Sequence, residues 1–143
     1  MKNNIKSKID ENEKLFDSWG KVKKNIDKKE RNNFHIRPKE VWYVNMGKNI
    51  GYESNGKSGN FERPVLVLNR IGTMFFIISM TTKGKDNKFY YKLDNNYFGK
   101  DSFLTFSQFK TIDHKRFIKK IGKINNNDFI EIKKEFKNII FKL

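Results

Sequence analysis

The sequence predicts a mainly β domain, a small barrel or sandwich, with an amphipathic helix at each end. Two near-continuous apolar runs, residues 65–68 and 74–80, flank the short segment Asn69-Arg70-Ile71-Gly72-Thr73, the pattern of a hairpin buried on both faces. Shorter aromatic and β-branched segments occur on either side of that pair, as further strands require. Near both ends the apolar residues change to spacings of three and four, the period of a helix.

Taken in order, Leu15, Phe16, Trp19, Val22 and Ile26 predict one helix over 9–31, weakened only by Gly20. Its apolar stripe is expected to lie across the main domain, the alternative being a docking face for a partner chain. Asn32-Asn33-Phe34-His35-Ile36-Arg37-Pro38 reads as a linker. Residues 1–37 are thus an N-terminal basic helix and linker, and 38–143 the main domain. Glu40-Val41-Trp42-Tyr43-Val44-Asn45-Met46 is a strand. Gly47, Gly51, Gly56 and Gly59 mark a long, flexible loop up to Asn60, and a loop of this length in a small domain is functional or disordered. It leads into Phe61-Glu62-Arg63-Pro64-Val65-Leu66-Val67-Leu68. Pro64 cannot donate a ladder hydrogen bond, so it is expected at the first position of that strand, holding Arg63 extended where loop becomes strand.

After the hairpin come a basic turn over 81–88, a strand over 89–93 and a polar loop over 94–101. Ser102-Phe103-Leu104-Thr105-Phe106 alternates as a half-buried strand does, and a turn around Asp113-His114-Lys115 precedes a last short strand over 117–124. Asn125 is placed to cap the final helix with Asp128 at N3, followed by Phe129, Ile132, Phe136, Ile139 and Leu143 along one face.

At 143 residues the chain suits one domain with an appendage. The absence of cysteine excludes disulfides, thiolate metal sites and a cysteine nucleophile. The first residues lack the apolar run of a signal peptide, and no stretch approaches the ~18 apolar residues of a membrane span, so a soluble, cytoplasmic protein is expected. The formal charge of +15 suggests a polyanionic partner such as nucleic acid. A bias toward residues with AT-rich codons (Lys, Asn, Ile, Phe) is the competing source of basicity. Of the 31 basic residues only Arg31, Arg37, Arg63, Arg70 and Arg116 are arginine. Where lysine is the default base, an arginine marks a position that needs the planar fork.

The chain has no Walker loop, dinucleotide fingerprint or metal-ligand spacing. Gly56-Lys57-Ser58 imitates the tail of a P-loop but lacks the upstream glycine and the following helix. His35 in the linker and His114 in a charged turn read as solvated surface residues, a general-base role being the alternative.

What remains is an ordered series: the aromatic strand, Gly51-Tyr52-Glu53, Arg63-Pro64 with its apolar run, Met80-Thr81-Thr82, Gln108-Phe109-Lys110-Thr111-Ile112-Asp113, Ile121-Gly122-Lys123-Ile124 and the terminal helix. Over about residues 38–140 this series resembles the MazF/PemK/Kid family of toxin endoribonucleases from type II toxin-antitoxin modules. The resemblance implies an SH3-like β-barrel with a C-terminal helix, a homodimer, and a cognate antitoxin whose acidic peptide covers the basic groove. It also implies cofactor- and metal-independent cleavage of single-stranded RNA at a short sequence, leaving 2′,3′-cyclic phosphate and 5′-hydroxyl ends.

In such a reaction the phosphorane is strongly anionic, so a fixed cation with several donors stabilises the transition state more than the ground state. The family's Arg-Pro arginine falls on Arg63 and the threonine after its third strand on Thr81. Its Gly-x-Glu residue falls on Glu53, which would either remove the 2′-proton or fix the loop through a backbone hydrogen bond. Tyr52 as a stacking ring, Lys83 and Lys85 as phosphate contacts, and Gln108 and Lys110 complete the expected RNA-binding set. The chain departs from the family at Thr105 and Ser107, where some members carry an arginine and an aspartate, so that pair cannot act here as acid and base. The same barrel hosts gyrase-poisoning toxins of the CcdB kind, and a catalytically inactive RNA-binding relative is the third reading.

Overall fold

The computed structural model describes residues 2–94 and 96–142. An N-terminal helix α1 (Lys2–Lys28) is followed by strands β1 (Glu40–Asn45), β2 (Glu62–Ile71), β3 (Met74–Thr81), β4 (Tyr90–Leu93) and β5 (Ser102–Asp113). A 3-10 turn (His114–Arg116), β6 (Phe117–Lys123) and helix α2 (Asn126–Phe141) complete the chain. The strands form one antiparallel sheet in the order β4-β5-β3-β2-β1-β6. Its centre is the expected hairpin, with a tight turn at Gly72, where φ is +62°.

Burial on both faces holds for that hairpin: Val65 to Leu68 and Ile77 to Met80 are all buried. One face, with Leu66, Leu68, Ile78, Leu104 and Phe106, packs under Phe129 and Ile132 of α2. The opposite face joins Trp42, Val44, Val65, Val67, Phe75 and Phe117. Asn125 caps α2 as expected, its side chain accepting from the Asp128 N–H at 2.8 Å.

The hydrogen-bond ladder of the barrel does not close, because β4 and β6 are edges that do not pair with each other. Side chains bridge the gap instead. The Phe98 ring lies against Gly122 of β6, where an added Cβ would meet it at 3.3 Å. Tyr97 donates its hydroxyl hydrogen to Asp128 and accepts from the Asn125 N–H at 3.0 Å.

Several sequence expectations are corrected. Helix α1 begins at Lys2 rather than residue 9, and only the second half of its stripe is buried: Trp19 and Ile26 pack on Phe61, whereas Leu15 and Phe16 are exposed. Periodicity marks an apolar stripe but not how far a surface extends beneath it. Pro64 is the third residue of β2, not the first. Strand β2 pairs with β1 from Glu62 but with β3 only from Val65, so the proline stands on the one-sided stretch just before pairing becomes two-sided. The linker is packed, with Ile36 in the core and Phe34 on the Trp42 ring. His114 is no solvated surface residue: its Nε2 donates to the Phe34 carbonyl at 2.9 Å, and its Nδ1 is buried without a partner among the described residues.

Glu40 ties these parts together. Its carboxylate, buried at the start of β1, pairs with Lys120 of β6 at 2.7 Å and accepts from the Arg37 N–H at 2.8 Å and the Trp42 indole at 3.2 Å. Burial alone would raise its pKa, but the Lys120 ammonium and the two N–H donors outweigh it and hold the carboxyl below its ordinary value. A carboxyl depressed by folding stabilises the fold above its unfolded pKa, and that contribution is lost as pH falls through the folded value. Glu40→Gln is therefore expected to cost about 2 kcal/mol near neutrality. Urea titrations of parent and variant should converge only as pH falls through the lowered Glu40 value, beneath the ordinary glutamate range.

Candidate functional site

Val65 lies opposite Ser79 in the β2–β3 ladder, and antiparallel pairing carried two residues further brings Arg63 and Thr81 together at the open end of the hairpin. Both line a cavity of about 320 Å³ with Tyr43, Lys57, Pro64 and Lys100. The Arg63 guanidinium is half-buried. Its Nε donates to the Asn55 carbonyl, and its Nη1 to the Met80 carbonyl at 3.0 Å. No carboxylate lies at ion-pair distance from it among the described residues. The two carbonyls fix the plane of the fork without neutralising it, and the Nη2 N–H groups have no protein acceptor among the described residues. Burial pushes the pKa of Arg63 down from the usual guanidinium value, although an arginine in a protein stays protonated. The Thr81 hydroxyl oxygen accepts from the Lys83 N–H at 3.2 Å, which leaves its O–H free to donate.

A second cavity, of about 350 Å³, is lined by Tyr52, Glu53, Ser54, Ser107, Gln108 and Lys110, among others. The loop of residues 47–60 is its outer wall and is not free. The Gln108 side-chain amide accepts from the Ser54 N–H at 2.9 Å and donates to the Tyr52 carbonyl at 2.8 Å. The Glu53 carboxylate accepts from the Ile50 N–H at 2.9 Å, and Gly56 donates to the Gly47 carbonyl at 2.7 Å. The flexible loop expected from its glycines is thus cross-linked to itself and to β5. Its Ser54 and Asn55 bond to opposite sides, one to Gln108 and the next to Arg63.

Arg63 and Thr81 therefore share a cavity, while Glu53 lines the neighbouring one with Tyr52, Gln108 and Lys110. Of the two roles the sequence allowed Glu53, loop fixing is the one its hydrogen bond serves. The Tyr52 ring is fully exposed. Lys83 and Lys85 are exposed on the turn after β3 and line neither cavity. Between them Gly84 lies on the Phe103 ring, where an added Cβ would come within 2.3 Å. Thr105 is buried inside β5, and Ser107 faces the second cavity.

Lys110 is half-buried and has no ion-pair partner among the described residues. Burial, then the Arg116 guanidinium, and also Lys23 push its pKa down, with Glu53 opposing. Sequence reasoning gave Arg116 no role. It is half-buried and donates through Nη1 to the Asn45 carbonyl at 2.9 Å. The scarcity of arginine was the signal that could have marked it. Nothing in the sequence points to the Asn55 carbonyl or to Lys100.

The family described as "PemK-like, MazF-like toxin of type II toxin-antitoxin system" matches residues 37–140. The chain belongs to this family. Its fold is that of a MazF from Deinococcus radiodurans, at 15% identity and a TM-score of 0.63, covering 76% of this chain and 98% of that one. A MazE-MazF structure from the same organism aligns at 12% identity and a TM-score of 0.57, covering 76% of this chain and 97% of that chain. An endoribonuclease from Mycobacterial species aligns at 9% identity and a TM-score of 0.56, covering 76% and 95% respectively. Identities this low establish a shared fold. No curated protein sequence matches the chain. In this MazF-like chain both cavities draw their side chains from within the matched residues, and α1 lies wholly outside them.

Because Gln108 holds the loop through two hydrogen bonds, Gln108→Ala should loosen the loop without unfolding the sheet. Each lost bond is worth roughly 0.5–1.5 kcal/mol. Amide exchange within residues 47–60 should accelerate by about tenfold, while the β2 and β3 amides keep parental protection.

Proposed function

We propose that the chain is the toxin of a toxin-antitoxin pair and acts as a metal-independent endoribonuclease on single-stranded RNA. It would function as a homodimer and be restrained by a cognate antitoxin. Residues 38–143 form the toxin domain and residues 1–37 an appendage. The observation that carries the reading is the uncompensated guanidinium of Arg63, fixed by two carbonyls beside a threonine hydroxyl. Structures that share the fold include one named as an endoribonuclease and one named as MazE-MazF, which supports the activity and the antitoxin partner.

In the proposed reaction the 2′-oxygen of one nucleotide forms a bond to the adjacent phosphorus, and the bond from phosphorus to the 5′-oxygen breaks. The 2′-proton leaves to a base, and a proton is delivered to the departing 5′-oxygen. Negative charge accumulates on the non-bridging phosphate oxygens, where preorganised donors contribute most. Arg63 supplies its charge and its unengaged Nη2 donors there, and the Thr81 hydroxyl donates to a second phosphate oxygen. Tyr52 stacks a base, and Lys110 holds a neighbouring phosphate with Gln108 beside it. Glu53 acts as a positioning residue through the Ile50 amide.

Purified protein incubated with a long RNA in EDTA should give cuts at a short sequence, with cyclic phosphate on the upstream fragment. Arg63→Ala should lower kcat by about 10² to 10³, and Arg63→Lys should fail similarly because an ammonium cannot span both carbonyls and a phosphate. Glu53→Gln retains an acceptor for the Ile50 N–H, so it should keep most of the activity. A large loss of kcat in that variant would instead make Glu53 the base. Uncut RNA, or equal cutting by Arg63→Ala with its fold verified by circular dichroism, would remove the proposal.

A further inference from the structure

Helix α1 lies outside the family match but is fixed to the domain. The Trp19 indole sits on Gly47, where an added Cβ would come within 2.5 Å, and its ring meets that of Phe61 at 5.5 Å between centroids. The Arg116 guanidinium lies 5.7 Å over the same indole. Lys115 donates through Nζ to the Asp27 carbonyl at 2.7 Å, on the last turn of the helix.

This anchoring sets Lys23 and Lys24 across a groove of about 360 Å³ from Lys115 and Arg116. Asp27 and Asp113 also line the groove, so its four cationic side chains outnumber its carboxylates two to one; Asp113 also accepts from the Lys115 N–H at 2.8 Å. Lys23, Lys24 and Lys110 have no ion-pair partner among the described residues. Lys23 and Arg116 lie close enough to Lys110 to disfavour its charged form. Arg116 lines the groove and donates to the Met46 carbonyl at 3.5 Å, and Met46 lines the cavity of Gln108 and Lys110, so the two adjoin at Arg116.

We infer that the last turns of α1 extend the RNA-binding surface. Lys23 and Lys24, with Lys110, hold backbone phosphates of the strand that leaves the Gln108–Lys110 cavity. The inference rests on the ribonuclease reading above. Four cationic side chains against two carboxylates leave the groove net positive, and a phosphate bound there relieves the remaining repulsion and releases condensed counterions from the RNA. An acidic peptide would want apolar anchors as well. The apolar lining here, Trp19 and Ile26, is already buried against Phe61, which favours a sugar-phosphate strand.

The full-length double variant Lys23→Glu/Lys24→Glu tests this, since both side chains are exposed and neither lines the cavity of Arg63. Cleavage kinetics and salt-dependent binding are compared on a long RNA and on a short oligonucleotide that covers only the cut site. KM on the long RNA should rise by about tenfold, and the slope of log affinity against log salt should fall by about 0.7 per lost phosphate contact. The values of kcat, and the kinetics on the short oligonucleotide, should stay at the parent level. Unchanged KM and salt slope on the long RNA would overturn the inference. So would weaker binding of an acidic antitoxin peptide with RNA affinity intact, which would assign the groove to the peptide. A parent protein that leaves both RNAs uncut and unbound overturns the ribonuclease reading itself, and this inference with it.

Discussion

Burial of the β2–β3 hairpin on both faces is the constraint on which the rest of this structure depends. A strand covered on both sides can carry no charged side chain along its middle without a large desolvation cost, and the small Ser79 hydroxyl is the one polar group there, so charge is confined to where the apolar run stops. In an antiparallel pair the two stopping points lie side by side. Arg63 ends one run and Thr81 the other, so pairing Val65 with Ser79 is enough to make them neighbours. Packing thus makes Arg63 and Thr81 neighbours, and the loop of residues 47–60 then orients the guanidinium through the Asn55 carbonyl.

The charges fall into two kinds. Glu40 and Lys120 neutralise each other across the β1–β6 edge, and that pair serves the fold. Arg63 and Arg116 spend hydrogen bonds on backbone carbonyls, which orient a guanidinium while leaving its charge available. An arginine held in this way costs desolvation energy in the free protein and recovers it only when an anion arrives. Only the planar fork can be held by two carbonyls and still present further donors, and of the five arginines Arg63 and Arg116 are held so.

Much of this was legible in the sequence. The hairpin and the capped C-terminal helix follow from apolar periodicity and one asparagine, and the proline placed Arg63 near the start of β2, although the strand begins one residue earlier, at Glu62. The division of the site into two cavities was not, because it depends on how the loop of residues 47–60 is held. Gln108 reaches Tyr52 and Ser54 from far along the chain, and the group that orients Arg63 is a main-chain carbonyl, which no residue type announces. Helix α1 shows the same limit. Its apolar stripe runs through Leu15 and Phe16, yet the surface it meets begins only at Trp19. His114 read as a solvated residue because its turn is charged, while its actual surroundings come from the linker folding back over it.

Gly47 has a significance that goes beyond its turn. Its φ of +92° favours glycine for backbone reasons, but a turn alone would still tolerate an asparagine at modest strain. With the Trp19 indole seated on its Cα, even that substitution collides. Helix α1 therefore narrows what the loop can accept at position 47, and the loop in turn supplies the helix's landing place. The contact works as a steric lock in both directions: a side chain at position 47 would lift Trp19 off the loop, and with it the end of the helix that Trp19 holds down.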